Sequence, residues 1–237
     1  MMQISIIIPF LSDNGDRDLA FDWVKEYYKR ILPSADICAG SSEKPFNKAQ
    51  AINKAVQNAS GNILILLDAD IICSPEAILK SIRMLKKHTW VIPYKKVLDI
   101  SKESSSKLLN LEPGWPFSIN IKSNNRVTGN HTPVGGINVL KRESFEAVGG
   151  FDERFLGWGG EDDAFAAAMN TLCGGFKRLN NSIYHIWHPS ANWKANEHYE
   201  NNLALAARYS NAYGNKNLML ELIQERNKES SKKGDQT

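Results

Sequence analysis

Cysteine is scarce in this chain. Cys38, Cys73 and Cys173 are odd in number and show no CxxC spacing, which argues against a disulfide framework and a thiolate zinc site. Long apolar runs are missing too. The longest uninterrupted aliphatic stretch, residues 63–67, has five residues, against the ~20 needed to span a bilayer. Neither sign of charge dominates: Lys and Arg number 29, Asp and Glu 26, and the net charge is +3. That surplus is too small to mark a nucleic-acid or membrane-binding protein. The opening residues lack a basic n-region and lead straight into a strand-like stretch, so no signal peptide is expected and a cytoplasmic location is expected. There is no internal repeat. What is present is ordinary globular material, 237 residues with 42% hydrophobic and 23% charged, enough for a sizeable core in one large or two small domains.

Residues 4–10 form a continuous apolar run of the kind that fits a strand buried on both faces of a parallel sheet. Residues 19–32 have helical spacing, with Phe21, Val24, Tyr28 and Ile31 on one stripe, and residues 35–39 predict a second strand. A second helix is predicted over 47–59 with Ala51, Ile52, Ala55 and Val56 inward, and residues 62–67 are the clearest strand of all. Ser74-Pro75-Glu76 places an N-cap before a proline at the first helical position, predicting a helix over 75–87. This alternation indicates an α/β fold with a mostly parallel central sheet flanked by helices. Residues 99–134 lack periodicity and predict a long functional loop. Beyond it come strands at 136–140, 176–179 and 183–185, and helices at 144–148, 161–172 and 196–213. The last of these carries Tyr199, Leu203, Ala206 and Tyr213 on a stripe. The charged, Ser-rich tail beyond Glu225 is expected to be disordered.

Three motifs bear on chemistry. Asp68-Ala69-Asp70 directly follows the clearest strand. Side chains two apart on an extended strand share a face, so both carboxylates point into the crevice where open α/β sheets bind ligands. Paired hard oxygen ligands suit Mg²⁺ or Mn²⁺ carried with a diphosphate; the plainer reading is a turn cap beside a solvated acid. Gly157-Trp158-Gly159-Gly160-Glu161-Asp162-Asp163 sets a large aromatic inside a glycine hinge and three acids on the first turn of a helix. First-turn acids suit the helix dipole in any protein, but a Trp there also offers an apolar face to a sugar ring, and a neighbouring carboxylate can accept a proton from a hydroxyl. His185 and His188, three apart at a strand end, can complete a metal shell, or can pack against Trp187.

Together with Ile7-Ile8-Pro9-Phe10, Phe46-Asn47-Lys48-Ala49, Asn53 and Gly135-Gly136, these elements resemble nucleotide-sugar glycosyltransferases of the GT-A fold over residues 4–200. The likeness is greatest to the β-1,4-galactosyltransferase branch and its bacterial family-2 relatives. It implies a single Rossmann-like catalytic domain over 1–200, with a donor half about 1–100 and an acceptor half about 134–200, followed by a C-terminal helix and tail over 201–237. It implies that Pro9, Phe10, Phe46 and Lys48 hold the uridine and diphosphate of a UDP-sugar, with Asp68 near the ribose and metal. Asp70 and His188 would ligate Mn²⁺ (or Mg²⁺), Trp158 would contact the transferred sugar, and Gly136 would line the donor site. Glu161 and Asp162 would line the acceptor side, with Asp162 the catalytic base. The sequence departs from the family at named places: His185 stands where the galactosyltransferases have methionine, where it can ligate or support His188. Leu11 and Ser12 follow Phe10, where arginine is common and Arg17 is the nearest substitute. Ala164 follows the acids where the family has another acid.

The resemblance therefore implies a metal-dependent inverting transfer of a hexose or N-acetylhexosamine to a hydroxyl of a glycan or glycoconjugate. A retaining enzyme of the polypeptide N-acetylgalactosaminyltransferase kind is the alternative, although that branch has Asn where Asp162 stands. A non-catalytic nucleotide-sugar-binding subunit is the second alternative. Animal relatives carry a membrane anchor and stem, so the chain is expected to be the equivalent of their catalytic core. Its basic tail is expected to make at most weak contact with the inner membrane surface.

Overall fold

The computed structural model describes residues 2–127, 132–157, 159–189 and 196–234. Strand β1 (Ile4–Pro9) is buried from Ser5 onward because it lies between two parallel neighbours, β2 (Asp36–Gly40) and β3 (Ile63–Leu67). Its one polar side chain, Ser5, is satisfied by accepting a hydrogen bond from Gly61 N at 2.7 Å. Helices α1 (Asp16–Ile31) and α2 (Lys48–Asn58) make the crossovers. The turn after β3 leads into β4 (Ile71–Cys73) and then α3 (Pro75–Met84), which Ser74 caps by accepting from Ala77 N at 3.2 Å.

Next come β5 (Trp90–Ile92), β6 (Lys96–Ile100), α4 (Lys102–Leu109), β7 (Ser123–Asn125), β8 (Ile137–Lys141) and α5 (Arg142–Ala147). The chain continues through α6 (Glu161–Leu172), β9 (Lys177–Arg178), β10 (Ser182–His185), α7 (Tyr199–Ala212) and α8 (Lys216–Gly234). The central sheet runs β2-β1-β3-β8-β5-β9. It is parallel at β1–β2, β1–β3 and β5–β9, while β8 runs antiparallel to β3 and β5. A second sheet, β4-β10-β6-β7, stands beside it. The turn at residues 68–70 joins the two sheets, and the site lies at that junction. No helix among the described residues is long and apolar enough to cross a membrane.

Strands β1, β2 and β3 and helices α1, α2, α3 and α6 match their sequence-based expectation closely; β4 and β5 had none, and three other expectations are corrected. The stretch 99–134 is not all loop, since α4 and β7 lie within it and β6 overlaps its start. The buried side of α7 is Asn202, Leu205, Tyr209 and Ala212, while Leu203 and Tyr213 are exposed. Two polar groups draw that face inward: Asn202 bonds both the N–H and the carbonyl of Leu156, and Tyr209 donates to Asp152 Oδ2 at 2.8 Å. The tail beyond Glu225 continues as helix to Gly234. The physical reason is at the expected break. Glu225 pairs with Arg154 and Arg208, and Arg226 is buried, donating to the carbonyls of Val148 and Gly150.

Candidate active site

Lys48 stands at the centre of a group of carboxylates. It opens α2, whose start is fixed by Asn47: the Asn47 side chain accepts from Gln50 N at 2.8 Å and donates to Glu153 O at 2.7 Å. From there Lys48 Nζ reaches Asp162 Oδ2 at 2.9 Å, Asp162 Oδ1 at 3.1 Å, Asp68 Oδ1 at 3.0 Å and Glu161 Oε1 at 3.7 Å. Desolvation acts against the ammonium, but Asp162, Asp68 and Glu161 outweigh it and hold the Lys48 pKa well above its ordinary value. The acids respond to the same surroundings. Burial, then the neighbouring Asp162, pushes Glu161 up to about 7, and burial likewise raises Asp68.

Both acids of α6 reach this point because the helix begins there. Gly160, its N-cap, has φ of 93°, and a Cβ on it would come within 2.9 Å of Phe155, so glycine is the residue that fits. Asp162 also packs close to backbone, since a Cβ on Gly135 would lie 2.1 Å from Asp162 Oδ2. Tyr94 holds the Gly135 segment by donating to the carbonyls of Gly135 and Pro133. Pro9, Lys48, Asp68, Gly136, Asn138 and Asp162 line one cleft.

Asp70 faces a different set of partners. Strand β3 ends at Leu67, and residues 68–70 turn rather than extend it. This corrects the expectation that Asp68 and Asp70 share a strand face: Asp68 goes to Lys48, and Asp70 goes to the histidines. His188 Nε2 lies 3.1 Å and His185 Nε2 3.8 Å from the Asp70 carboxylate. Burial would raise Asp70, but the His188 hydrogen bond and both imidazoles hold its pKa below the usual value; the same bond raises His188. Asp70, His185 and His188 each offer one ligand atom, all within 4.8 Å of one another. One carboxylate oxygen with two imidazole nitrogens is a donor set that a divalent cation such as Mn²⁺ fits.

The structure thus brings Lys48, Asp68, Glu161, Asp162 and Gly136 together, with Asp70, His185 and His188 on the other side of the turn. Pro9 lines the cleft, Phe10 stacks on Phe21 of α1 at 4.1 Å, and Phe46 is half-buried just before α2. Arg17 is close enough to act electrostatically on both Asp70 and His188. Trp158 lies outside the described residues. Sequence reading missed Tyr94, Asp99 and Arg126. Tyr94 precedes β6, Asp99 lies on β6 opposite His185, and Arg126 follows β7. No local pattern marks residues whose neighbours come from distant parts of the chain.

The family-2 glycosyl transferase model matches residues 9–149, more than half of the chain. The chain belongs to glycosyl transferase family 2. A model described as the N-terminal domain of galactosyltransferase matches residues 116–190. No curated protein sequence matches this glycosyltransferase at a significant level.

Among solved structures, the catalytic domain of Drosophila β1,4-galactosyltransferase 7 with xylobiose is 19% identical with a TM-score of 0.51, covering 79% of this chain and 72% of that one. A mutant of the same Drosophila enzyme with manganese, UDP-Gal and xylobiose is 17% identical, TM-score 0.50, covering 82% and 78%. Glucosyl-3-phosphoglycerate synthase from Mycobacterium tuberculosis, with Mn²⁺, UDP-glucose and phosphoglyceric acid, is 13% identical, TM-score 0.54, covering 90% and 80%. These likenesses place this glycosyltransferase in the GT-A fold, as the resemblance implied.

Proposed function

We propose that this glycosyltransferase moves a hexose or N-acetylhexosamine from a UDP-sugar to a hydroxyl of a glycan or glycoconjugate, with inversion at the sugar. The observation that carries this reading is the seating of Asp162 on the first turn of α6, joined through Lys48 to Asp68, which the turn at 68–70 links to Asp70 of the Asp70–His185–His188 group. Both solved relatives whose complexes include a sugar nucleotide hold it with manganese, which supports the same donor class here. Aspartate at 162, rather than asparagine, supports inversion, because a single displacement needs a base on the acceptor.

In this reading residues 1–200 are the catalytic domain. Its donor half, about residues 1–100, supplies Pro9, Phe10, Arg17, Phe46, Lys48, Asp68 and Asp70. The half from about 134 to 200 supplies Gly136, Trp158, Glu161, Asp162, His185 and His188. Asp70, His188 and His185 would hold Mn²⁺ or Mg²⁺, which supplies charge neutralisation for the departing diphosphate. Lys48 and Arg17 add positive charge on the donor side. Asp162 takes the proton of the attacking hydroxyl; the oxygen of that acceptor hydroxyl bonds to C1 as the C1–O bond to the diphosphate breaks, and UDP leaves with that electron pair. Glu161, with a pKa of about 7, carries a proton for part of the time at neutral pH and can donate it in a hydrogen bond to a sugar hydroxyl.

The test is a panel of nucleotide sugars with Mn²⁺, scored for release of UDP. At least one UDP-hexose should be turned over, turnover should stop on chelation, and Asp162→Asn should lower transfer by about 10²–10⁴-fold while UDP binding persists. No turnover of any UDP-sugar, or near-normal transfer by Asp162→Asn, would defeat the proposal.

A further inference from the structure

We propose that Asp99 is a positioning residue for the cation site, acting through His185. The proposal rests on the reading of Asp70, His185 and His188 as ligands. Strands β6 and β10 pair in parallel with Asp99 opposite His185, and His185 Nδ1 lies 3.1 Å from Asp99 Oδ1. A neutral imidazole that donates from Nδ1 keeps its lone pair on Nε2. Nε2 is the nitrogen nearest Asp70. Asp99 thereby sets both the tautomer of His185 and the direction of its free nitrogen.

Two further observations support this assignment. His188 is arranged in the same way: its Nδ1 lies 2.9 Å from the carbonyl of Pro189, and its Nε2 faces Asp70. Each imidazole is thus anchored by one nitrogen and offers the other to the same point. Asp99 is itself held in place. Arg126 Nε donates to Asp99 Oδ2 at 3.0 Å and to Oδ1 at 3.2 Å, a second guanidinium nitrogen also bonds Oδ1, and Arg126 N donates to Val97 O at 2.8 Å. The series Arg126, Asp99, His185, Asp70 runs inward from the edge strand β7. The side chains are 38%, 37%, 19% and 19% exposed. A half-exposed Asp–Arg pair alone contributes little to stability. A carboxylate that orients a ligand histidine typically accounts for about 10–100-fold in metal affinity.

The experiment is Mn²⁺ binding to the full chain in the presence of UDP, followed by the electron paramagnetic resonance signal of free Mn²⁺. Asp99→Ala should weaken binding about 10–100-fold. The same substitution in a His185→Ala background should change it by less than about twofold, because the residue through which Asp99 acts is gone. Binding by Asp99→Ala within about twofold of wild type would overturn the proposal, and so would a full loss repeated without His185. Asp70→Asn and His188→Ala separate the two levels of argument. If they bind Mn²⁺ as wild type does, the ligand reading has failed and takes this proposal with it; if they lose binding while Asp99→Ala does not, the positioning role alone is wrong. Should Asp99→Ala not fold, Asp99→Leu, which is similar in size and cannot accept from Nδ1, takes its place in the same cycle. A loss of at least about threefold that vanishes without His185 supports the proposal, and unchanged binding overturns it.

Discussion

Adjacent acids on one helical turn meet different surroundings in this enzyme. Asp162 is bonded through both oxygens to Lys48, whereas Glu161 is farther from that ammonium and more buried, with its pKa raised to about 7. A carboxyl whose pKa rises from 4.5 to about 7 on folding binds more protons folded than unfolded between those values. Its contribution to stability therefore declines as pH rises through that window. The raised pKa of His188 acts in the same direction, adding stability below its unfolded value that is lost as pH rises. Glu161→Gln removes only the first contribution. Thermal melts should show the variant gaining on wild type as pH rises from about 5 to about 8; a constant difference would show that Glu161 is not buried as described. The sequence displayed the acids and Lys48 but not their inequality, because that depends on burial and on which carboxylate the Lys48 ammonium meets, neither of which a local pattern assigns.

At the scale of elements, what could be read from the sequence divides by how local the determinant is. Helix α6 was legible from its glycines, acids and alanine-rich body, and β3 from its unbroken aliphatic run. The second sheet was not legible. Its strands have three to five residues and are specified by pairing between distant segments, which is how Asp99 comes to lie opposite His185. The face of α7 was misjudged because Asn202 reads as a surface residue until Leu156 supplies its partners. The end of α8 was misjudged for the same kind of reason, since Arg226 reads as part of a charged tail until the carbonyls of Val148 and Gly150 are placed against it. Arg226→Ala should then cost about 2 kcal/mol, the order expected when buried carbonyls lose a charged donor. Urea denaturation measures this directly, and an unchanged midpoint would mean that α8 does not dock there.

For the whole molecule, the junction between two sheets is the organising fact. The central sheet delivers Pro9, Asp68 and Gly136 to one side of the turn at residues 68–70, and the second sheet delivers Asp99 and His185 to the other. A sugar nucleotide spanning that turn would place its diphosphate near Asp70 and the histidines, and its sugar toward Asp162. In the proposed reading Asp162, acting as base, would then lie on the face of the sugar opposite the leaving group. Proton NMR of a UDP-hexose turned over with Mn²⁺ tests this most directly, because the anomer of the product is seen before it equilibrates and no acceptor need be known. Transfer to an acceptor or to water should first give the anomer opposite to that of the donor, with UDP appearing only when a divalent cation is present. Product that first appears with the donor's own anomeric configuration, or turnover indifferent to the cation, would contradict the account.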